Sequence, residues 1–251
     1  MKESVPHIIE LLRKAGGIIM DIYGRGESGA ELEWKADNSP LTLADRESHN
    51  FLVHHLAQIN SQIPMMSEES LHIDFEQRKE WQRYWCLDPL DGTKEFIKRN
   101  GQFTINLALI ENSIPCLGFI HVPVTGNTFW ASRGHGAFVH NGECDTEIKA
   151  SQKKDDWIAV SSSSHATESE NNLLAQFPVT RYIKAGSALK FCYIASGVAD
   201  VYHRQGPTME WDTAAGHILV EEAGAYFEYL SENKIHYNKP DLRNPSFLVR
   251  I

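Results

Sequence analysis

Two carboxylates stand three residues apart in Trp85-Cys86-Leu87-Asp88-Pro89-Leu90-Asp91-Gly92-Thr93, where a short apolar run ends. Proline fixes φ at about −65° and has no N–H to donate, and glycine accepts the positive φ that other residues resist. Pro89 and Gly92 therefore favour a tight turn that faces Asp88 and Asp91 into one space. Carboxylates held that close repel unless a cation lies between them. Such a turn also points carbonyls outward, which makes the Leu90 carbonyl a candidate third oxygen. Oxygen-only donors suit Mg²⁺, Mn²⁺ or Ca²⁺ rather than zinc. The same residues also read as an ordinary surface turn, because D-P-x-D-G is good turn chemistry in its own right.

Further acids stand at junctions between elements. Pro64-Met65-Met66 is a short apolar strand that runs into Ser67-Glu68-Glu69. Thr42 with Asp45 three residues on resembles a capping box, which predicts a helix to about Asn60. Trp211-Asp212 opens a helix to Ala223, with Gly224 just past its end. Taken singly, Glu68 reads as a solvated helix start, and Asp45 and Asp212 as helix caps. Taken together they form a carboxylate cluster that needs divalent metal to be stable.

The elements that would position these acids alternate along the chain. Apolar residues from Ile8 to Ile22 recur at helical spacing over residues 4–23. Glu31 to Lys35 alternates as a half-exposed strand does, and a turn follows at Asp37-Asn38-Ser39-Pro40. Gln102 to Asn112 alternates strictly, with Phe103, Ile105, Leu107 and Leu109 on one face. Residues 117–129 supply one or two more strands, and Gly134-x-Gly136 begins another hairpin, so residues 65–140 hold most of an antiparallel or mixed sheet. In the second half, strands are predicted at Trp157–Val160, Arg181–Lys184, Ala199–Tyr202 and Tyr226–Tyr229. A short helix is predicted over Asn171–Phe177, and Ser187 is read as the cap of a helix to about Ser196. Alternating helices and strands in both halves imply packed α and β layers.

Bulk properties narrow the function. The chain has 251 residues, enough for one catalytic domain over 1–251 made of two packed halves, about 1–150 and 151–251. A content of 42% hydrophobic and 23% charged residues excludes broad disorder. A net charge of −9 argues against a nucleic-acid groove, but a small phosphate-bearing substrate remains compatible, because bound metal can supply the positive field. Cys86, Cys116, Cys144 and Cys192 form no C-x-x-C and read as reduced, mostly buried thiols of a cytosolic protein. Charged residues interrupt any apolar leader at the N-terminus, and no apolar run is long enough to span a membrane.

Ser67-Glu68-Glu69, Asp88-Pro89-Leu90-Asp91-Gly92-Thr93 and Trp211-Asp212-Thr213-Ala214-Ala215 resemble the three signatures of the Mg²⁺-dependent, lithium-sensitive inositol monophosphatase superfamily, in order and over essentially the whole chain. Within it, Lys94-Glu95-Phe96, Lys35-Ala36-Asp37-Asn38-Ser39-Pro40, Gly186-Ser187-Ala188-Leu189-Lys190-Phe191-Cys192 and Gly206-Pro207-Thr208 resemble the bacterial branch of the 3′(2′),5′-bisphosphate nucleotidases. The resemblance implies a mixed α/β, layered α-β-α-β-α sandwich. It implies hydrolysis of the 3′-phosphate of adenosine 3′,5′-bisphosphate to AMP and phosphate, with 3′-phosphoadenylyl sulfate as a further substrate.

By the same resemblance, two or more Mg²⁺ ions sit in the site. Glu68, Asp88 and the Leu90 carbonyl hold the first, and Asp88 bridges to a second that also takes Asp91 and Asp212. Thr93, paired with Asp45, activates the attacking water. Gly92 and Thr93 backbone donors touch the scissile phosphate. His165, Ser187, Lys190 and Arg204 meet the adenosine 5′-phosphate moiety. The expected protein is a monomer or weak homodimer, cytoplasmic, free or held at the cytoplasmic face of the inner membrane. An inositol or sugar phosphatase, and a non-catalytic metal-dependent nucleotide binder or ion sensor, are the competing readings. The Asp45–Thr93 pair speaks against the second, since a binder needs no water-activating pair.

Overall fold

The structure is a computed structural model that describes residues 4–26, 32–34, 40–70, 73–162, 173–231 and 235–251. Two helices, α1 (Val5–Gly24) and α2 (Leu43–Ile59), lie against a seven-stranded sheet. Its strands, in spatial order, are β3 (Met65–Ser67), β4 (Arg83–Asp91), β5 (Thr104–Glu111), β6 (Ile114–Val122), β7 (Asn127–Ser132), β8 (Ala137–His140) and β9 (Asp145–Ile148). Only the β3–β4 pair is parallel among these neighbours. The short β1 (Leu32–Trp34) and β2 (Pro40–Thr42) pair with each other just before α2.

The period-two pattern of the strands sorts this sheet's side chains into two cores. Trp85 and Leu87 of β4, Ile105, Leu107 and Leu109 of β5 and Phe119 of β6 pack with Leu12, Ile19, Leu52 and Leu56 of α1 and α2. Tyr84, Cys86, Ala108, Ile110 and Ile120 face the opposite way, toward the helices Leu189–Ala195 and Glu210–Glu222. Gly118 lets the second of those helices come close: a Cβ there would lie 2.5 Å from Ile218 Cγ2 and 2.9 Å from the Ala215 carbonyl oxygen.

Beyond this helical layer stands a five-stranded mixed sheet. Its spatial order is β11 (Val179–Ala185), β10 (Trp157–Ser162), β12 (Val201–Arg204), β16 (Phe247–Arg250) and β14 (Tyr226–Tyr229). Ile158, Val160, Tyr202, Phe247 and Val249 join the core under the helices. Trp157, Ala159, Val201 and Leu248 face outward and are covered by Leu173, Leu174 and Phe177. Among the described residues the layers thus alternate α, β, α, β, with residues 173–177 over the outer face of the second sheet, a mixed α/β architecture as the resemblance implies. A two-stranded pair of β13 (Thr208–Met209) and β15 (Arg243–Asn244) flanks the start of Glu210–Glu222.

Some local expectations are revised. Asp88-Pro89-Leu90-Asp91 is not a free turn but the end of β4, broken by an irregularity in its pairing with β5. The helix after Gly186 begins at Leu189 with Ala188 as its cap residue, so Ser187 does not cap it. The strand expected at Ala199–Tyr202 runs instead from Val201 to Arg204. The Lys35-Ala36-Asp37-Asn38-Ser39 segment, His165 and the start of the Asn171–Phe177 helix lie outside the described residues.

Candidate active site

The break in β4 places the acid pair. Asp88 pairs with Asn106 and Asp91 with Thr104, so three steps on one strand match two on the other. In a regular strand, residues three apart face opposite sides. The extra residue, a β-bulge, turns Asp91 to the same side as Asp88. Gly92 then takes φ +94° and starts the short helix Thr93–Ile97, as its freedom at positive φ allows.

Each remaining acid arrives from a separate element. β3 runs parallel to β4 with Ser67 beside Leu87, and the Glu68 N–H continues the ladder to the Leu87 carbonyl at 3.1 Å, so Glu68 comes level with Asp88. Asp212 lies in the first turn of Glu210–Glu222, where it accepts the Met209 N–H at 2.7 Å. Carboxylate oxygens of Glu68, Asp88 and Asp212 all lie within 4.8 Å of one another. Asp88 Oδ1 also accepts the Leu90 N–H at 3.0 Å. Burial, reinforced by the charges of Glu68, Asp91 and Asp212, pushes the Asp88 carboxyl well above the usual carboxylate range. Burial and the charges of Asp91 and Glu68 do the same to Asp212. Three converging carboxylates, two with raised proton affinity, are a donor set that fits a hard divalent cation.

Asp91 stands beside that trio. Its Oδ2 accepts from Ser187 Oγ at 2.8 Å and from Asn106 Nδ2 at 3.2 Å. Thr104 Oγ1 lies 2.6 Å from Ser187 Oγ and donates to Asn106 Oδ1 at 2.8 Å. Ser187, read from the sequence as a helix cap, is thus an orienting donor to Asp91. Thr104 and Asn106 belong to no expected site. The signal that could have found them is two polar residues, two positions apart, inside a strand that is otherwise apolar and buried.

Helix α2 adds the last pair. Its capping box is present: Thr42 Oγ1 accepts from the Asp45 N–H, and Asp45 Oδ2 accepts from the Thr42 N–H at 2.8 Å. Asp45 Oδ1 faces the other way and accepts from Thr93 Oγ1 at 3.2 Å. One turn along the same face, Ser48 Oγ donates to the Pro89 carbonyl at 2.9 Å and fixes the helix to the bulge.

Asp91 and Asp212 open into a cavity of about 170 Å³ whose wall also carries Gly92, Lys94, Ser187, Lys190 and Arg204. Of the substrate contacts inferred from sequence, Gly92, Ser187, Lys190 and Arg204 therefore meet at one cavity. Lys94 was not anticipated there. Lys190 is buried, and its Nζ donates to the Ser187 carbonyl at 2.6 Å and sits 5.3 Å from the Tyr202 ring centre. Burial, with Arg204 adding positive charge, brings its pKa down to about 8. All four cysteines are unpaired, three of them buried. No helix among the described residues is long and apolar enough to cross a membrane.

A family model described as the inositol monophosphatase family matches residues 1–249. The chain is 40% identical over 247 residues to the 3′(2′),5′-bisphosphate nucleotidase CysQ of Escherichia coli strain K12, covering 97% of this chain and 98% of the relative. The crystal structure of CysQ from Bacteroides thetaiotaomicron, a bacterial member of the inositol monophosphatase family, superposes with a TM-score of 0.85 at 40% identity, over 96% of this chain and 94% of that one. An inositol monophosphatase from Thermotoga maritima superposes with a TM-score of 0.79 at 27% identity, over 99% of this chain and 92% of that one.

Proposed function

The chain belongs to the inositol monophosphatase family, and from that premise we propose that it is a 3′(2′),5′-bisphosphate nucleotidase. It removes the 3′-phosphate of adenosine 3′,5′-bisphosphate and yields AMP and inorganic phosphate. The observation that supports this reading most is the meeting of two features: the Glu68–Asp88–Asp212 trio, and an adjoining cavity whose wall carries three cationic side chains, Lys94, Lys190 and Arg204. A substrate with two phosphates needs both, one to take the reacting phosphate and one to hold the other. The 40% identity to a nucleotidase over nearly the full length of both chains favours this substrate over an inositol phosphate.

Glu68, Asp88, Asp91, Asp212 and the Leu90 carbonyl would hold Mg²⁺, two or more ions per site. Bound there, Mg²⁺ offsets phosphate charge and makes water more acidic. The chain's own part is positioning, on which phosphoryl transfer chiefly depends. Ser187 and Asn106 both donate to Asp91 Oδ2 and so hold its carboxylate in place. Thr93 Oγ1 donates its proton to Asp45 Oδ1, so its lone pairs point outward to accept from the attacking water. As water attacks phosphorus, its proton passes to Thr93 Oγ1 while the Thr93 proton moves to Asp45, the general base; the bond from phosphorus to the 3′-oxygen breaks, and that oxygen leaves with the ribose and takes a proton from solvent. Gly92 and Thr93 backbone donors meet the scissile phosphate. Lys94, Lys190 and Arg204 face the 5′-phosphate, which carries nearly two negative charges at neutral pH. His165 belongs to the same reading, and so does a cytoplasmic enzyme acting as one catalytic unit over 1–251.

Product analysis by phosphorus NMR with Mg²⁺ tests the assignment. AMP and orthophosphate are expected. Adenosine 3′-phosphate as product would place cleavage at the wrong end and overturn it.

A further inference from the structure

Two residues before Asp212, a second buried charge stands in the same helical turn. Glu210 is fully buried, and its carboxylate accepts the Asn238 N–H at 2.7 Å, the Lys239 N–H at 3.0 Å and Lys239 Nζ at 2.8 Å. Lys239 is also buried, and its Nζ reaches Asn244 Oδ1 at 3.3 Å. Asn244 in turn donates to the Met209 carbonyl at 2.7 Å and to Thr213 Oγ1 at 3.0 Å, on either side of Asp212. On its far side the group continues through Asn238. The Asn238 side chain accepts from Arg78 Nη1 at 2.7 Å and donates to the Arg78 carbonyl at 2.7 Å. Arg78 is buried and lies in the link between β3, which leads into Glu68, and β4, which carries Asp88 and Asp91.

This chain of contacts joins the two parts of the fold from which the carboxylate trio converges. A buried ion pair is weak as a source of stability, because desolvation offsets its attraction; its best-attested use is to fix one arrangement. Here the carboxylates being held repel one another, and a start of Glu210–Glu222 free to shift would let Asp212 withdraw from Glu68 and Asp88. We propose that Glu210, Lys239, Asn238 and Arg78 form a positioning device that holds Asp212 at cation-binding distance from Glu68 and Asp88. The inference rests on the cation reading of that trio, and it assigns these residues no contact with substrate.

The test is direct Mn²⁺ binding, followed by electron paramagnetic resonance on the full chain, with melting temperature and nucleotide KM measured alongside. Lys239→Met breaks the ion pair. Asn238→Gly removes only the link to Arg78 and suits the positive φ of 69° at that position, so it keeps the test decisive if Lys239→Met fails to fold. In the folded variants Mn²⁺ affinity is expected to fall about tenfold, the lower end of what outer partners of metal ligands contribute, while KM at saturating Mg²⁺ stays at the wild-type value. Wild-type Mn²⁺ affinity in Asn238→Gly, whatever its melting temperature, would show the network to be structural only and overturn the proposal. Absence of Mn²⁺ binding by the wild-type chain would instead remove the cation reading itself, and this inference with it.

Discussion

Asp45 divides its carboxylate between two partners: Oδ2 closes the cap of α2 on Thr42, and Oδ1 receives the Thr93 hydroxyl at 3.2 Å. The cap holds the base still, and a side chain so fixed can orient one hydroxyl. Thr93→Ala is expected to lower kcat by about 10²–10⁴-fold, the range for a general acid–base partner, with little change in stability. Thr42→Ala removes the capping hydroxyl and is expected to cost about 1 kcal/mol of stability while leaving most of kcat. Turnover assays and urea denaturation on both variants separate the roles. Equal losses of kcat in the two would mean that the cap and the catalytic pair cannot be told apart.

Asp91→Asn keeps the size of the side chain and removes a charge from the cluster. Turnover is expected to vanish while circular dichroism stays that of the parent. Without metal the variant is expected to be at least as stable as the parent, since one of the charges that push Asp88 and Asp212 upward is gone. Full activity would remove Asp91 from the cation site.

Lys190 supplies a pH dependence. Its folded pKa, about 8, lies below the free value, so between the two the folded chain binds fewer protons and this residue's contribution to stability rises with pH. For activity the sign is opposite. Neutral Lys190 no longer attracts the 5′-phosphate, so kcat/KM for the bisphosphonucleotide is expected to fall above pH about 8. The same fall should be missing for a substrate without the 5′-phosphate and in Lys190→Arg, which stays charged. A fall of equal size for both substrates would take Lys190 out of 5′-phosphate recognition.

Metal removal should carry its own pH signature. Asp88 and Asp212 have folded pKa values above their unfolded ones, so the metal-free folded state binds more protons and loses stability as pH rises through the raised values. Melting temperatures in chelator, relative to those in Mg²⁺, are expected to decline as pH rises above the ordinary carboxylate range. A constant difference there would show that the two carboxyls do not titrate as a strained pair.

How much of this could be read from sequence depended on whether the partner was near in the chain. The alternation of Phe103 to Leu109, the capping box at Thr42 and the helix after Trp211 are local patterns, and the fold keeps them. The acids were legible as types at junctions, because strands that end in carboxylates are locally odd. Their mutual geometry was not. Pro89 and Gly92 read as a turn, yet β4 continues pairing with Asn106 and Thr104 across the bulge, a constraint held in another strand. Ser187 has the chemistry of a cap, but its hydroxyl is taken by Asp91, 96 positions away. β16, which lies between β12 and β14 in the second sheet, is only a short apolar run near the end of the chain, with no periodicity to mark it.

The most direct measurement is phosphate release with Mg²⁺ from adenosine 3′,5′-bisphosphate and inositol 1-phosphate, side by side. A strong preference for the nucleotide is expected, because only that substrate gives Lys94, Lys190 and Arg204 an anion to hold. Preference for inositol 1-phosphate would keep the cation chemistry and contradict the substrate. Release from neither, with Mg²⁺ bound, would contradict the enzyme.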